Sequence, residues 1–380
     1  MTVPVSSGAT TSLTATRLPS LTGLRWIAAF AVFGFHIHSD PMTSSPDARE
    51  VLRVLFRTGA VGVSFFFILS GLVLTWSARP GDSPRAFWRR RAARVMPNHV
   101  VTWVGVLAIL AMTHKAVGAA PALSGLFLVQ SWIPDPVFYF GGNTPAWSLA
   151  CEAAFYAAFP LLLPLLRRVP ARRLWALASA LAMAIWCVPL LALPLPDPIA
   201  YWFVWVFPVT RALEFCLGMT VALMVREGRW RGPGLVVSGA VVLGAYFAVP
   251  LLAQRWQWVA GTAVPLALLL AAAARSDLRG SRTVFASPAF IWLGEISFAF
   301  YLVHQPVIRL GTGLIGKDQP APVLAATFAG TLGVAVLAAW VLYRLVERPM
   351  ERRLSRPSRP KTGPSHPDSQ QPLPSRSPVT

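Results

Sequence analysis

Ten apolar stretches, separated by short polar or basic runs, recur along the chain at about 21–38, 59–77, 99–113, 145–166, 174–192, 199–225, 234–252, 257–274, 289–311 and 322–344. Most approach the roughly 20 apolar residues that an α-helix needs to cross a hydrocarbon core of ~30 Å. A segment inside a bilayer must satisfy its own backbone hydrogen bonds, which helices do alone. The pattern therefore predicts an all-α fold, a polytopic membrane helical bundle with about ten transmembrane helices.

The polar exceptions inside these stretches are the candidates for chemistry. In the first, Arg25 and His36 stand eleven residues apart. That is about three helical turns plus 20°, so the two side chains share one face with ~16 Å of rise between them. Each ionisable group at membrane depth costs on the order of 2.5–3.5 kcal/mol on the insertion scale, which makes two in register a functional seam. In the fourth stretch Ser148, Glu152 and Tyr156 follow one another at i, i+4 spacing, so one helix face holds a hydroxyl, a carboxylate and a phenol. If the first and fourth helices are neighbours, Glu152 can orient the His36 imidazole and stabilise its protonated form, as a general base requires. The alternatives are a packed helix-end histidine and a carboxylate paired with Arg25 or Arg211.

Other polar groups read differently. Arg211 and Glu214, at i, i+3, suggest a structural intramembrane ion pair. Ser297, Tyr301 and His304 form one stripe of the ninth stretch, which lines a cavity or bonds another helix. The second stretch mixes small residues with aromatic bulk, a composition suited to close helix packing. After it, Arg89, Arg90, Arg91 and Arg94 crowd a cytoplasmic segment, where they hold a polyphosphate bidentately or serve orientation alone. His36 and Asp40 match a short H-x-x-x-D pattern by coincidence, since Asp40 falls past the helix end, and His38 faces roughly 200° away from His36. No phosphate-binding glycine loop, zinc signature or nucleophile elbow occurs, so no metal is expected.

Composition agrees with the bilayer: 55% of residues are apolar, 13% are charged, and there are 15 tryptophans suited to interfacial belts. The net charge of +19 does not indicate nucleic acid, because the arginines cluster between apolar stretches. With the amino terminus cytoplasmic, the basic clusters at 85–94, 167–173, 226–231, 275–282 and 344–361 all fall inside, which predicts a multi-pass cell-membrane protein with both termini cytoplasmic. Residues 1–17 read as a flexible segment without a cleavable signal, 18–351 as the membrane domain, and 352–380 as a disordered basic Pro/Ser-rich tail. Cys151, Cys187 and Cys216 fall within stretches and read as packing residues.

Taken in order, these pieces resemble the acyltransferase-3 family of integral membrane acyltransferases. The likeness rests on Arg25-x10-His36, the Phe-Phe-x-x-Ser-Gly element at 66–71, Arg91-x-x-Arg94 followed by Pro97, Trp147-Ser148-Leu149 ahead of Glu152 and Tyr156, the 297–304 stripe, and Glu347-x-Pro349. The resemblance implies transfer of a short acyl group from an acyl-CoA co-substrate to a hydroxyl, with no other cofactor. It implies His36 as base or acyl carrier, Glu152 setting its tautomer, Arg25 at the donor, and Arg91 with Arg94 on coenzyme A phosphates. Trp147, Ser148, Tyr156, Ser297, Tyr301 and His304 are the expected substrate-binding residues. Segments at 18–26, 128–132, 143–152 and 230–234 are similar to the macrolide 3-O-acyltransferase branch, which implies a macrolide or related metabolite as acceptor. A sugar of the cell envelope is the alternative, weakened by the lack of a fused extracytoplasmic domain. From another class, a transporter or flippase with a polar seam stays open.

Overall fold

The computed structural model describes residues 17–354 except Pro41 and Lys115, without the side chains of Ala321, Pro322 and Leu354. The expected N-terminal segment and tail fall almost wholly outside these residues. The helices are α1 (Pro19–Ser39), α2 (Pro46–Phe56), α3 (Val61–Trp76), α4 (Pro84–Met112), α5 (Ala119–Leu126), α6 (Pro136–Tyr139), α7 (Ala146–Arg167) and α8 (Leu174–Leu191). There follow α9 (Ile199–Trp205), α10 (Pro208–Arg226), α11 (Leu235–Ala248), α12 (Ala260–Leu278), α13 (Pro288–Ile315), α14 (Ala321–Leu342) and α15 (Arg348–Leu354).

Among the described residues, nine helical stretches are long and apolar enough to cross a membrane, and Leu235–Leu251 is an apolar but shorter tenth. The fold is thus the expected all-α membrane bundle. Its burial is that of a protein whose solvent is lipid: large apolar side chains such as Val236, Leu243, Leu161 and Leu337 face outward, while Arg211, Glu214, Asn98, His304 and Glu347 are buried.

Close backbone approaches assemble the centre. A Cβ on Gly71 would stand 1.9 Å from the Phe215 carbonyl oxygen, and one on Gly218 would stand 1.9 Å from that of Ile68. Only glycine lets α3 and α10 meet here, as the small residues of the second stretch predicted. Helix α1 packs along α13 and is fixed at its start, where Ser20 donates to Asp277 from its backbone nitrogen at 2.9 Å and its hydroxyl at 2.5 Å.

Three elements depart from the sequence reading. The arginine segment is not separate from the third span: α4 runs for 29 residues through Pro97, so the arginines ride on the span's own helix. The sixth span breaks at Val206 and Phe207, where Pro208 opens α10. Between the first two apolar stretches, where no helix is expected, stands α2, an amphipathic helix whose N-cap Ser45 accepts from the Ala48 backbone nitrogen.

Candidate active site

The packing of α1 against α13 brings two histidines together. The His36 and His304 ring centroids are 4.9 Å apart, with His36 Nδ1 3.1 Å from His304 Nε2. Each Nδ1 also faces the carbonyl one turn back on its own helix, Val32 at 3.0 Å for His36 and Phe300 at 3.2 Å for His304. A carbonyl can only accept, so in the neutral rings both Nδ1 atoms carry the hydrogen. His304 Nε2 then accepts from His36 Nδ1–H, a hydrogen shared with Val32. The lone pair of His36 is left on Nε2, which no described residue engages. His36 lines a cavity of 220 Å³ together with Trp147, Arg211, Trp258 and Tyr301.

A second cavity of 140 Å³ lies toward the basic ends of the helices, lined by Arg25, Ser70, Arg91, Arg94, Glu152 and Tyr156 among others. Three arginines face one carboxylate, so the chamber favours an anion. Glu152 accepts from the Ser70 hydroxyl at 3.1 Å and from the Tyr156 hydroxyl. Helix α4 is held to the end of the chain's last span: Asn98 donates to the buried Glu347 at 2.6 Å, and Arg94 stands 3.8 Å from Glu351.

Tyr301 and Val63 line both chambers. The Tyr301 hydroxyl lies 2.8 Å from Ser148 Oγ, whose own hydrogen goes to the Pro145 carbonyl at 3.0 Å. Tyr301, bonded to Ser148, and Val63 thus form the wall between the histidine chamber and the arginine chamber.

The geometry corrects part of the sequence reading. Glu152 is not the partner of His36, because α13 rather than α7 lies along that face of α1, and His304 takes the place assigned to the carboxylate. The 297–304 stripe divides: Ser297 donates to the Gly294 carbonyl of its own helix at 2.8 Å and is fully buried, while Tyr301 lines both chambers and His304 meets His36. Trp147 lines the histidine chamber and Ser148 the arginine chamber. Arg211 makes the expected pair with Glu214 at 3.0 Å, yet it also borders the histidine chamber and stands 4.9 Å from the Phe67 ring centroid. Asp40 pairs with Lys317 at 2.5 Å and leaves His36 alone. Ser70 is marked in the sequence only as part of the Phe-Phe-x-x-Ser-Gly element, and no periodicity marks Trp258.

Residues 18–342 match the acyltransferase domain family. The chain belongs to that family. This acyltransferase is 42% identical over 361 residues to the acyltransferase MdmB of Streptomyces mycarofaciens, covering 90% of this chain and 93% of that one. It is 30% identical to the exopolysaccharide production protein ExoZ of Rhizobium meliloti over 78% of this chain and 91% of that one. Against the peptidoglycan O-acetyltransferase OatA of Listeria monocytogenes the identity is 25% over 88% of this chain, which spans 56% of that relative. No solved structure matches it. Membership decides between the classes left open by the sequence: the protein is a multi-pass membrane acyltransferase.

Proposed function

We propose that this acyltransferase moves a short acyl group from an acyl-CoA to a hydroxyl of a macrolide or related hydroxylated metabolite, with His36 as general base. The observation that carries the reading is His36 on the wall of the chamber with its Nδ1 engaged by Val32 and His304, which leaves Nε2 free to accept from a hydroxyl. The arginine chamber supports an anionic donor: Arg91 and Arg94 hold coenzyme A phosphates, and Arg25 lies deeper, on the path of the thioester. Glu152, with Ser70 and Tyr156, offsets and spaces these arginines.

The acceptor hydroxyl gives its proton to His36 Nε2 as its oxygen attacks the thioester carbonyl. The tetrahedral intermediate then collapses by breaking the C–S bond, and His36 returns the proton to the leaving thiolate, giving ester and free coenzyme A thiol. Trp147, Ser148 and Tyr301 shape the meeting point of the two substrates. The basic ends of the helices and both termini are cytoplasmic in this reading, as the positive-inside bias requires. A macrolide acceptor is favoured by the 18–26, 128–132, 143–152 and 230–234 segments. An envelope sugar is the second reading, motivated by the likeness to the exopolysaccharide and peptidoglycan relatives.

The test is product mass spectrometry on membranes containing wild type or His36→Ala, given acetyl-, propionyl- or butyryl-CoA with hydroxylated macrolides and envelope polysaccharide. An acyl increment on one acceptor, lost in the variant, is expected. Wild-type product from His36→Ala overturns the assignment of the base.

A further inference from the structure

Beyond the histidine chamber, on the side away from the arginines, lies a third cavity of 330 Å³ between α6, the turn into α9 and the 254–255 stretch. It shares Phe140, Tyr201 and Trp205 with the histidine chamber, so the two are adjoining rooms with aromatic walls. The Tyr139 and Tyr201 rings are parallel within 9°, their centroids 6.3 Å apart, and Trp205 meets Tyr201 edge-on at 4.6 Å.

The polar atoms of this room are unusual in having nothing to do. Tyr139 is 1% exposed, and neither its hydroxyl nor that of Tyr201 has a hydrogen-bond partner among the described residues. These two hydroxyls are not fully sealed from the cavity, whereas Trp205 Nε1 on its wall is buried without a partner, and leaving a buried donor unpaired costs about 1–3 kcal/mol. Burial pushes the Tyr139 phenol up to about 12, so it remains a donor at neutral pH. Asp197 stands exposed at the rim without an ion pair among the described residues. The neighbouring charges are already employed: Arg255 donates to the Ala192 carbonyl at 2.6 Å, and Asp135 caps the Val137 nitrogen at 2.9 Å.

Flat aromatic faces edged by unpaired hydroxyls and a carboxylate suit a ring that is apolar on its faces and hydroxylated at its rim. We propose that this room is the acceptor subsite and takes a sugar-like, polyhydroxylated ring. Trp205 and Tyr201 pack against its C–H face, and Tyr139, Tyr201 and Asp197 bond its hydroxyls. The ring so held presents the rest of the acceptor to His36 from the side opposite the donor. The assignment rests on the acyl-transfer reading for its purpose, although binding itself can be measured without turnover.

The experiment uses the full-length protein in detergent, with a glycosylated macrolide and its sugar-free aglycone as probes, in wild type, Tyr139→Phe, Tyr201→Phe and Asp197→Asn. Tryptophan fluorescence titration without any donor should show the glycosylated probe binding more tightly than the aglycone. Each substitution should weaken the glycosylated probe roughly 3- to 10-fold, as expected for one lost hydrogen bond, and Tyr139→Phe and Asp197→Asn, which do not border the histidine chamber, should leave the aglycone unchanged. Equal affinity in all four proteins, or a wild type that binds neither probe, overturns the subsite. Turnover with propionyl-CoA is then measured on the same proteins, where the acceptor KM should rise while the donor KM stays fixed. Binding that follows the substitutions without any ester or free thiol formed would sink the acyl-transfer reading and leave the subsite standing.

Discussion

Replacing His304 with leucine removes the acceptor of the His36 Nδ1 hydrogen while keeping apolar bulk in its place. The lost bond is 3.1 Å long, and the Val32 carbonyl at 3.0 Å still holds the same hydrogen. The cost is therefore that of one neutral hydrogen bond, about 0.5–1.5 kcal/mol. At about 1.4 kcal/mol per factor of ten, kcat falls roughly 2- to 13-fold if the whole loss is felt in the transition state. Removing the base with His36→Ala instead costs about 10²- to 10⁴-fold. His304→Gln, whose amide oxygen can accept from His36, should recover to within about 2-fold of wild type. The assay is the initial rate of coenzyme A thiol release in membranes at saturating donor and acceptor, normalised to protein by immunoblot. The donor KM should not change, since His304 does not border the arginine chamber. A His304→Leu loss as deep as that of His36→Ala would make His304 the base, and an undiminished rate would remove its positioning role.

Other substitutions test separate parts of the structure. Arg91→Ala should raise the donor KM about tenfold or more with kcat little changed, read from donor titrations. Gly71→Ala forces α3 from α10, because the new methyl would meet the Phe215 carbonyl at 1.9 Å; a loss of about 1–3 kcal/mol should appear as a lower midpoint in detergent thermal-shift chromatography. Asn98→Ala strips the Glu347 carboxylate of its 2.6 Å donor, and the same assay should register about 1–3 kcal/mol.

The spans were legible because lipid imposes one rule on every residue that faces it, and that rule is written locally as apolar length. Arg25 and Glu152 were legible for the same reason, conspicuous against an apolar background, but that they share one chamber with Arg91 and Arg94 of the basic segment is a matter of packing. Which helices are neighbours is not local information. His36 and Glu152 could be placed at similar depth from the sequence, but only the packing of α1 on α13 puts His304 at the imidazole instead. The stripe of Ser297, Tyr301 and His304 was visible as a pattern, whereas its division into a helix-internal serine and two site residues depends on the rotation of α13. The continuity of α4 through Pro97 was hidden because proline reads as a stop, and contacts such as Asn98 with Glu347 hold the helix beyond it.

The wall formed by Tyr301 and Val63 has a consequence for the cell that concerns leakage. A membrane enzyme whose two chambers opened toward opposite faces would be one constriction away from a conduit for protons driven by the membrane potential. Here the bottleneck is a phenol bonded to Ser148 at 2.8 Å, backed by the Pro145 carbonyl and packed 5.8 Å from the Phe66 ring centroid. In the proposed arrangement, with donor and acceptor held in separate chambers, the same side chain would also insulate the membrane at this point.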